Sequence, residues 1–509
     1  MIIPRPTTHT PAAPGALRLT AELDLRVGPG AERPAALLAE YLGADRPRTR
    51  QGPEIRLELT AAPGPAQSYR LEITEDALLL TAPDEAGLFH GVQSVRQLLA
   101  ADASRLPCLT VEDAPLLPWR GLMIDVARHF MPLAFLYELV EELAALKLNV
   151  LHLHLTDDQG WRIEIDGLPR LTEIGAWRTE SMIGPAGGDR FDGVPHGGYY
   201  TRAELAGLVA YAAGRGVRIV PEIELPGHAR AALAAYPELG VHGKALPVWT
   251  SWGVCEDVFG VHDAAFGFLR EVLDQTVDLF PDRYVHLGGD ECPTVQWETD
   301  PYSRSRAAEL GLPSAAALHG WMLTRMNGVL AELGRSTISW DNGSPEELGR
   351  ASTDLVLAAW LDPGHALRSI GRGHRVLVTP HQSTFFDYPQ HDHPNEPQGQ
   401  PGRVTTLEDA YAFDPLRADE TGRRPAVVDP FDTGDPRPGV LGAQAQLWTE
   451  FLPTPAAVRY AAYPRLYAFA EAAWSSGERD FADFADRLAR LHPAAAAARQ
   501  APPAGRMER

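Results

Sequence analysis

From Trp119 onward, strand-like and helical patterns alternate along the chain. Apolar residues recur with helical spacing between the strand-like runs, for example at 133–146 and 202–213. The eight strand-like runs lie at 121–126, 149–155, 218–223, 283–287, 337–340, 355–360, 375–379 and 440–447. Eight such β/α units predict an α/β fold of the closed (β/α)8 TIM barrel type. A doubly wound open sheet is the alternative, but no glycine-rich phosphate-binding loop follows any of the runs.

The part of the chain before the barrel has a different pattern. Alternating apolar and polar residues at 55–59 and 69–74 predict half-exposed antiparallel strands, and 84–99 has helical spacing. A proline-punctuated segment at 113–118 marks the boundary. We therefore predict a small N-terminal α+β domain at 1–117, the barrel at 118–478, and a C-terminal helix and tail at 479–509.

The charge balance excludes several classes of partner. The chain has 67 acidic and 46 basic residues and a formal net charge of −21. This balance argues against nucleic acid, polyanionic glycans and anionic membrane surfaces. Only two basic residues are lysines, Lys147 and Lys244. No apolar run approaches the ~18 residues of a membrane span, and the start lacks a signal-peptide pattern, so we expect a cytoplasmic protein.

The predicted strand ends carry the residues of greatest chemical interest. In a TIM barrel the active site forms at the C-terminal ends of the strands. Each of the eight ends bears a carboxylate, histidine, arginine or tryptophan side chain, and the candidates include Arg128, Asp157, His228, Asp290, Glu291, Trp340, Trp360, Asp387, Trp448 and Glu450. Tryptophan faces stack on sugars, and carboxylates and arginine bond hydroxyl groups. This set favours a glycosidase, which needs neither a metal nor a cofactor.

Asp290 and Glu291 are adjacent in sequence, which limits how they act together. Successive strand residues point to opposite faces, so both serve one site only where the strand ends. They do not suit the opposed acid and nucleophile of an ordinary retaining glycosidase, which lie ~5–5.5 Å apart across the substrate. One carboxylate could act as the acid while its neighbour holds a substrate group that is itself the nucleophile.

At this point the sequence resembles a known family. The strings HLHLTDDQGWRIEI, PEIELPGHA, HLGGDE and GAQAQLWTE, in this order, are similar to the β-N-acetylhexosaminidases of glycoside hydrolase family 20. The similarity covers residues 55–475, and the N-terminal segment YRLEITEDALLLTAPDEAGLFHGVQSVRQLL resembles the small domain that precedes the barrel in that family. The resemblance implies exo-acting, retaining, substrate-assisted release of terminal N-acetylglucosamine or N-acetylgalactosamine. We expect a small-molecule substrate, no cofactor, no metal, and a monomer or homodimer.

The resemblance also implies residue roles. Glu291 would be the general acid and then the general base, and Asp290 would hold the acetamido N–H of the substrate. Asp157 and His228 would form a relay behind Glu291. The hydroxyls of the terminal sugar would be bound by Arg128, Asp387 and Glu450. The pocket for its acetyl methyl group would be walled by Trp340, Trp360 and Trp448.

One position departs from the family pattern. Members usually carry Tyr-x-Asp after the seventh strand, where the phenol donates to the acetamido oxygen, but this chain has Phe385-Phe386-Asp387. Phe385 would keep the aromatic wall and lose a hydrogen bond of ~1.5–3 kcal/mol, or roughly 10- to 150-fold in rate. A neighbour such as Tyr388 would supply the hydroxyl, or activity would be modest, or the substrate would differ.

Three further alternatives stay open at this stage. Asp158 competes with Asp157 for the relay position. A metal-dependent hydrolase would use His152, His154, His228 and Asp290, although that class places its His-x-His pair on the first strand and a carboxylated lysine mid-barrel, and both lysines here lie outside the strand ends. We interpret His152 and His154 as hydrogen-bonded core residues instead. A non-catalytic sugar-binding protein is the last alternative.

Overall fold

The computed structural model describes residues 1–20, 22–43, 52–61, 64–342, 353–431 and 436–493. Eight parallel strands close into a barrel in chain order, and the eighth pairs with the first. From first to eighth, the barrel strands are Trp119–Asp125, Val150–His154, Arg218–Glu222, Tyr284–His286, Ser336–Asp341, Val356–Ala359, Arg375–Val378 and Gly439–Leu447. The predicted (β/α)8 TIM barrel is confirmed.

Helices surround the barrel, as the helical spacing predicts. The longer ones are Leu133–Ala145, Arg202–Ala213, Asp263–Leu279, Pro301–Glu309, Leu318–Glu332, Pro455–Ala462, Arg465–Trp474 and Phe481–Leu491. The shorter ones are Arg170–Glu173, Arg230–Ala235, Val295–Thr299, His365–Gly371, His381–Thr384 and Leu407–Ala412. Among the described residues, no helix is long and apolar enough to cross a membrane. The tail predicted after the last helix lies, from residue 494 onward, outside the described residues.

The N-terminal domain is a six-stranded sheet with two helices, Glu32–Tyr41 and Glu85–Ala101. Its strands are Thr8–Arg18, Asp24–Val27, Glu54–Leu59, Tyr69–Ile73, Ala77–Ala82 and Arg105–Asp113. Tyr69–Ile73 is antiparallel to both its neighbours, as expected. The expectation of antiparallel pairing is wrong for Glu54–Leu59, which runs parallel to both its neighbours. The alternating pattern of that strand reports which face is buried and contains no information about strand direction.

The inside of the barrel changes character from bottom to mouth. Its lower layer is apolar and includes Trp119, Val150, Val220 and Ile338. Because alternate strand residues share a face, His152 and His154 lie above Val150 on the same interior face of the second strand. The apolar floor therefore supports a polar layer directly beneath the strand ends.

The two domains meet at a buried polar cluster, which we call the domain junction. The Asp113 carboxylate accepts hydrogen bonds from Lys147 Nζ at 3.0 Å, the Tyr69 hydroxyl at 2.9 Å and Trp474 Nε1 at 2.9 Å. Asp113 and Tyr69 belong to the N-terminal sheet, whereas Lys147 and Trp474 belong to the barrel. Lys147 also lies 4.6 Å from the Trp474 ring, within cation–π range. The junction thus fixes the small domain to the side of the barrel.

Candidate active site

The polar layer of the barrel is centred on the Glu222 carboxylate. His154 Nδ1 lies 2.5 Å from Glu222 Oε2, and His152 Nε2 lies 3.0 Å from the same oxygen. His286 Nδ1 and Trp340 Nε1 each lie 2.8 Å from Glu222 Oε1. Burial opposes charging of His154, but the Glu222 charge and the bond to Asp157 raise its pKa to about 10. His152 and His154 are therefore hydrogen-bonded interior residues, in agreement with the interpretation from the sequence.

A glycine turn follows the fourth barrel strand and displays the acidic pair. Gly288 and Gly289 have φ of +61° and +91°, which glycine adopts without strain. A Cβ added at Gly288 would lie 1.6 Å from Glu224 Oε2, so the turn packs directly on that carboxyl group. The Gly289 N–H donates to Glu224 Oε2 at 3.2 Å, and His319 Nε2 lies 2.9 Å from the Gly289 carbonyl oxygen. The turn is held from two sides before the acidic pair begins.

Asp290 and Glu291 lie on the same side of this turn. Asp290 Oδ2 and Glu291 Oε2 are each 3.8 Å from His228 Nε2. Both His228 and Glu291 have left-handed φ, +49° and +46°, a conformation that is uncommon outside glycine and clusters at functional sites. The alternation of side chains between the two faces of the strand ends at this turn. The two adjacent carboxylates therefore share one site, as expected from their position at a strand end.

The relay behind the acidic pair contains both candidate aspartates. His228 Nδ1 lies 3.2 Å from Asp157 Oδ1 and 3.2 Å from Asp158 Oδ2. Burial disfavours charge on Asp157, but Arg128 and His228 hold its pKa well below the ordinary value, whereas burial raises the pKa of Asp158. Asp157 thus supplies the negative charge that His228 faces, and Asp158 supplies a second hydrogen-bond acceptor.

Electrostatics favour a protonated Glu291. Burial and then the neighbouring Asp290 carboxylate raise the pKa of Glu291. Its side chain is 43% exposed, against 14% for Asp290, so Glu291 is the member of the pair that reaches toward solvent. A carboxylic acid that keeps its proton and reaches outward is suited to general-acid chemistry.

Arg128 links the relay to the sugar-binding side. Its Nη2 lies 2.8 Å from Asp157 Oδ2, its Nε donates to Gln159 Oε1 at 3.2 Å, and its guanidinium stacks 4.9 Å above the Trp448 ring. Burial opposes its charge, but Asp157 and Asp125 raise the pKa of Arg128 well above its ordinary range. Arg128 is a permanent cation in the wall of the site.

The predicted aromatic residues form one continuous wall. The ring centroid of Trp340 lies 5.9 Å from that of Trp448, and Phe385 lies 6.3 Å from Trp448. Trp360 lies 6.3 Å from Phe385 with its ring nearly parallel, at 19°. The Tyr388 hydroxyl lies 3.2 Å from Nδ1 of His381, whose ring centroid is in turn 6.2 Å from that of Phe385.

Asp387 and Glu450 complete the mouth from the last two strands. Asp387 is buried, and neither of its carboxylate oxygens has a partner in the described part of the chain. Burial and then Glu450 raise the pKa of Asp387 well above its ordinary value. Burial also raises the pKa of Glu450, against the opposing charge of Arg128. Two acceptor groups side by side in a buried wall are suited to neighbouring hydroxyls of a ligand.

Comparison with known proteins agrees with this geometry. Residues 117–477 match the model for glycosyl hydrolase family 20, catalytic domain, and residues 1–114 match glycosyl hydrolase family 20, domain 2. The chain belongs to glycosyl hydrolase family 20.

Individual proteins of known identity are similar to this family 20 chain over most of its length. It is 34% identical over 484 residues to a β-hexosaminidase of Porphyromonas gingivalis and 35% identical over 408 residues to one of Vibrio furnissii. These matches cover 93% and 79% of this chain, but 57% and 64% of the two relatives, so the chain spans about three fifths of their length. The crystal structure of an exo β-N-acetylglucosaminidase of Vibrio harveyi in complex with N-acetylglucosamine superposes with a TM-score of 0.83 and 30% identity, covering 98% of this chain and 77% of that one.

The residues of the metal-hydrolase alternative lie in two separate groups in this family 20 barrel. His152 and His154 both contact Glu222 in the interior. His228 and Asp290 lie with Glu291 at the mouth. The four residues thus do not converge as one ligand set.

Sequence reasoning missed three side chains of the family 20 site. Glu222 was detectable, because it lies two residues before Glu224 and strand alternation places both on the interior face. Gln159 was detectable only by its place in the string HLHLTDDQGWRIEI at the end of the second strand. Gln446 gave no signal, since the two amides of this strand, Gln444 and Gln446, look alike in the sequence whether or not their partners are present.

Proposed function

We propose that the protein is an exo-acting, retaining β-N-acetylhexosaminidase that releases terminal N-acetylglucosamine or N-acetylgalactosamine by substrate-assisted catalysis. The observation that carries this proposal is the placement of Asp290 and Glu291 at equal distance, 3.8 Å, from one nitrogen of His228. Carboxylates on one turn do not flank a glycosidic bond from opposite sides, so the nucleophile must come from the substrate, as is general in family 20.

In the first step, Glu291 donates its proton to the glycosidic oxygen as the bond to the anomeric carbon breaks. The acetamido oxygen of the same sugar attacks the anomeric carbon and forms an oxazolinium-type ring. Asp290 accepts the acetamido N–H and stabilises the positive charge that develops on it. The raised pKa of Glu291 keeps the proton available for this transfer.

In the second step, the Glu291 carboxylate removes a proton from water. The resulting hydroxide attacks the anomeric carbon from the face that the leaving group vacated, and the acetamido ring opens. Two inversions give net retention of the β configuration. The Asp157 carboxylate raises the pKa of His228, so the imidazole carries a positive charge. That charge balances Glu291 while Glu291 is ionised.

The rest of the mouth supports exo cleavage of a neutral terminal sugar. Asp387, Glu450 and Arg128 offer acceptors and one donor to ring hydroxyls, and the wall from Trp340 to Trp360 offers apolar faces. A polyanionic sugar would be repelled by the three carboxylates Asp290, Asp387 and Glu450.

Hydrolysis rates on aryl β-glycosides of N-acetylglucosamine, N-acetylgalactosamine, glucose and galactose test the proposal. We expect rapid release from the two acetamido sugars and very slow release from the two plain sugars, since only the former supply the nucleophile. Asp290→Asn should also weaken inhibition by a thiazoline mimic of the cyclic intermediate. Equal rates on glucose and N-acetylglucosamine would contradict the substrate-assisted mechanism. Binding of N-acetylglucosamine with no turnover would favour a sugar-binding protein.

A further inference from the structure

The eighth barrel strand carries an amide whose partners are missing from the described structure. Gln446 is 0% exposed, yet neither its Oε1 nor its Nε2 has a hydrogen-bond partner among the described residues. A buried amide left without partners loses the hydrogen bonds it makes to water in the unfolded chain, at a penalty to stability. Such a group in a native protein needs an explanation, and a ligand is one.

The position of Gln446 on its strand directs the amide into the barrel. Gln444, two residues earlier, contacts His152 Nδ1 at 3.0 Å, which places its side chain inside the barrel. Trp448, two residues later, belongs to the aromatic wall. Since alternate strand residues share a face, Gln446 lies on the interior face between the polar layer below and the Trp448 ring above.

Phe385, in the segment that follows the seventh barrel strand, is the residue bridged to Gln446. The two residues are paired in parallel register, and the Phe386 N–H donates to the Gln446 carbonyl oxygen at 2.9 Å. Paired residues of parallel strands point their side chains to the same face, so the amide and the phenyl ring lie side by side. The phenyl ring has no polar atom, and the Tyr388 hydroxyl lies against His381 Nδ1 at 3.2 Å.

We propose that the Gln446 side chain donates its Nε2–H to the acetamido oxygen of the substrate and thereby selects the 2-acetamido group. This inference rests on the proposed function. An acetamido group has one N–H donor and one oxygen acceptor, and Asp290 serves only the donor. Gln446 supplies the missing donor from the opposite strand, so both polar atoms of the group are recognised.

The donor to the acetamido oxygen then lies on the eighth strand, whereas the phenol usual in the family follows the seventh. Gln446 is a substrate-contacting residue for specificity and also a positioning residue, because a hydrogen bond to the acetamido oxygen holds that oxygen near the anomeric carbon. The bond must not be so strong that it withdraws the nucleophile, and a neutral amide meets this condition better than a cation.

A double-mutant cycle with Gln446→Leu and Phe385→Tyr tests the proposal, because a phenol at 385 would restore a donor at the same place. The measurements are kcat/KM on 4-nitrophenyl β-N-acetylglucosaminide and the inhibition constant of the thiazoline mimic. We expect Gln446→Leu to lower kcat/KM by roughly 10- to 100-fold and to weaken the inhibitor similarly. Phe385→Tyr should recover most of the loss in the Gln446→Leu background.

Gln444→Leu is the matched control, because it removes a buried interior amide of the same strand whose Nε2 already contacts His152 Nδ1. Its loss should not be recovered by Phe385→Tyr. Gln446→Met replaces Gln446→Leu if the latter fails to fold, as judged by thermal unfolding.

The outcomes are distinguishable. A wild type without activity on the N-acetyl substrate overturns the proposed function. An active wild type whose Gln446 variants keep their kcat/KM overturns only this inference, as does a loss that Phe385→Tyr leaves unrepaired. A loss confined to Trp360→Phe, whose indole Nε1 is likewise buried without a partner among the described residues, would assign the donor to that residue instead.

Discussion

Two buried aspartates with nearly the same exposure behave in opposite ways. Asp113 at the domain junction is 4% exposed, and Asp387 at the barrel mouth is 3% exposed. Asp113 accepts from Lys147, Tyr69, Trp474 and two backbone N–H groups. Asp387 has no side-chain partner in the part of the chain that the structure describes.

The difference separates a structural charge from a functional one. A buried carboxylate surrounded by donors and an opposite charge holds two domains together. Removing it leaves the remaining cation buried without an opposite charge. A buried carboxylate without donors destabilises the free protein and gains its partners only when a ligand binds. Burial alone therefore does not distinguish the two aspartates, whereas the partners of their carboxylate oxygens do.

The largest effect we expect lies at the mouth and leaves stability unchanged. Glu291→Gln removes the proton donor, so turnover of an aryl N-acetylglucosaminide should fall by roughly 10²- to 10⁴-fold. Product binding and the thermal unfolding midpoint should stay close to wild type, because this side chain is 43% exposed. Near-normal turnover would remove Glu291 from the acid role.

The junction should show the reverse behaviour. Asp113→Asn leaves Lys147 buried without an opposite charge and should lower the free energy of unfolding by about 3 kcal/mol. The kcat of the molecules that remain folded should not change. Glu112→Gln, at the exposed neighbouring position, is the matched control and should alter stability little. A junction variant that retains wild-type stability would contradict the comparison.

A smaller effect on activity, again without loss of stability, is expected for the aspartate at the mouth. Asp387→Asn replaces an acceptor oxygen for a sugar hydroxyl and should weaken transition-state binding by about 0.5–1.5 kcal/mol, which is measured as a lower kcat/KM. The unfolding midpoint should stay the same or rise, since the change removes an unpaired buried acid. Asp392→Asn, on the exposed loop nearby, controls for local charge. If Asp387→Asn unfolded as easily as Asp113→Asn, the two aspartates would belong to one class.

The smallest effect concerns pH. As a general acid Glu291 acts while protonated, so kcat/KM should decline as pH rises through its pKa, which burial and Asp290 raise. Asp290→Asn removes the second cause, so the residual activity should decline at a lower pH than in the wild type. If kcat/KM declines at the same pH in Asp290→Asn as in the wild type, burial alone sets the pKa of Glu291.

The general fold followed from the sequence because it rests on periodicity. Apolar runs such as 149–155 alternate with helices such as Leu133–Ala145, whose apolar residues recur with helical spacing, and the closed barrel follows from repeating that unit. The direction of Glu54–Leu59 was not predictable, because pairing with distant strands decides it.

The site was predictable where position on a strand determines chemistry. The shared side of Asp290 and Glu291 follows from adjacency at a strand end. The equal contacts of Asp157 and Asp158 with His228 do not, because they depend on how a loop folds back. That Gln446 has no side-chain partner among the described residues is a property of its surroundings, which no single-residue pattern describes.

The burial of Lys147 has a practical consequence for studying motion between the domains. Of the two lysines in the chain, Lys244 is exposed and Lys147 is sealed in the junction. An amine-reactive label would therefore modify Lys244 and the terminal amine at once, and Lys147 only when the junction opens. The slow phase of labelling, read by mass spectrometry at Lys147, would time the separation of the domains without any engineered probe.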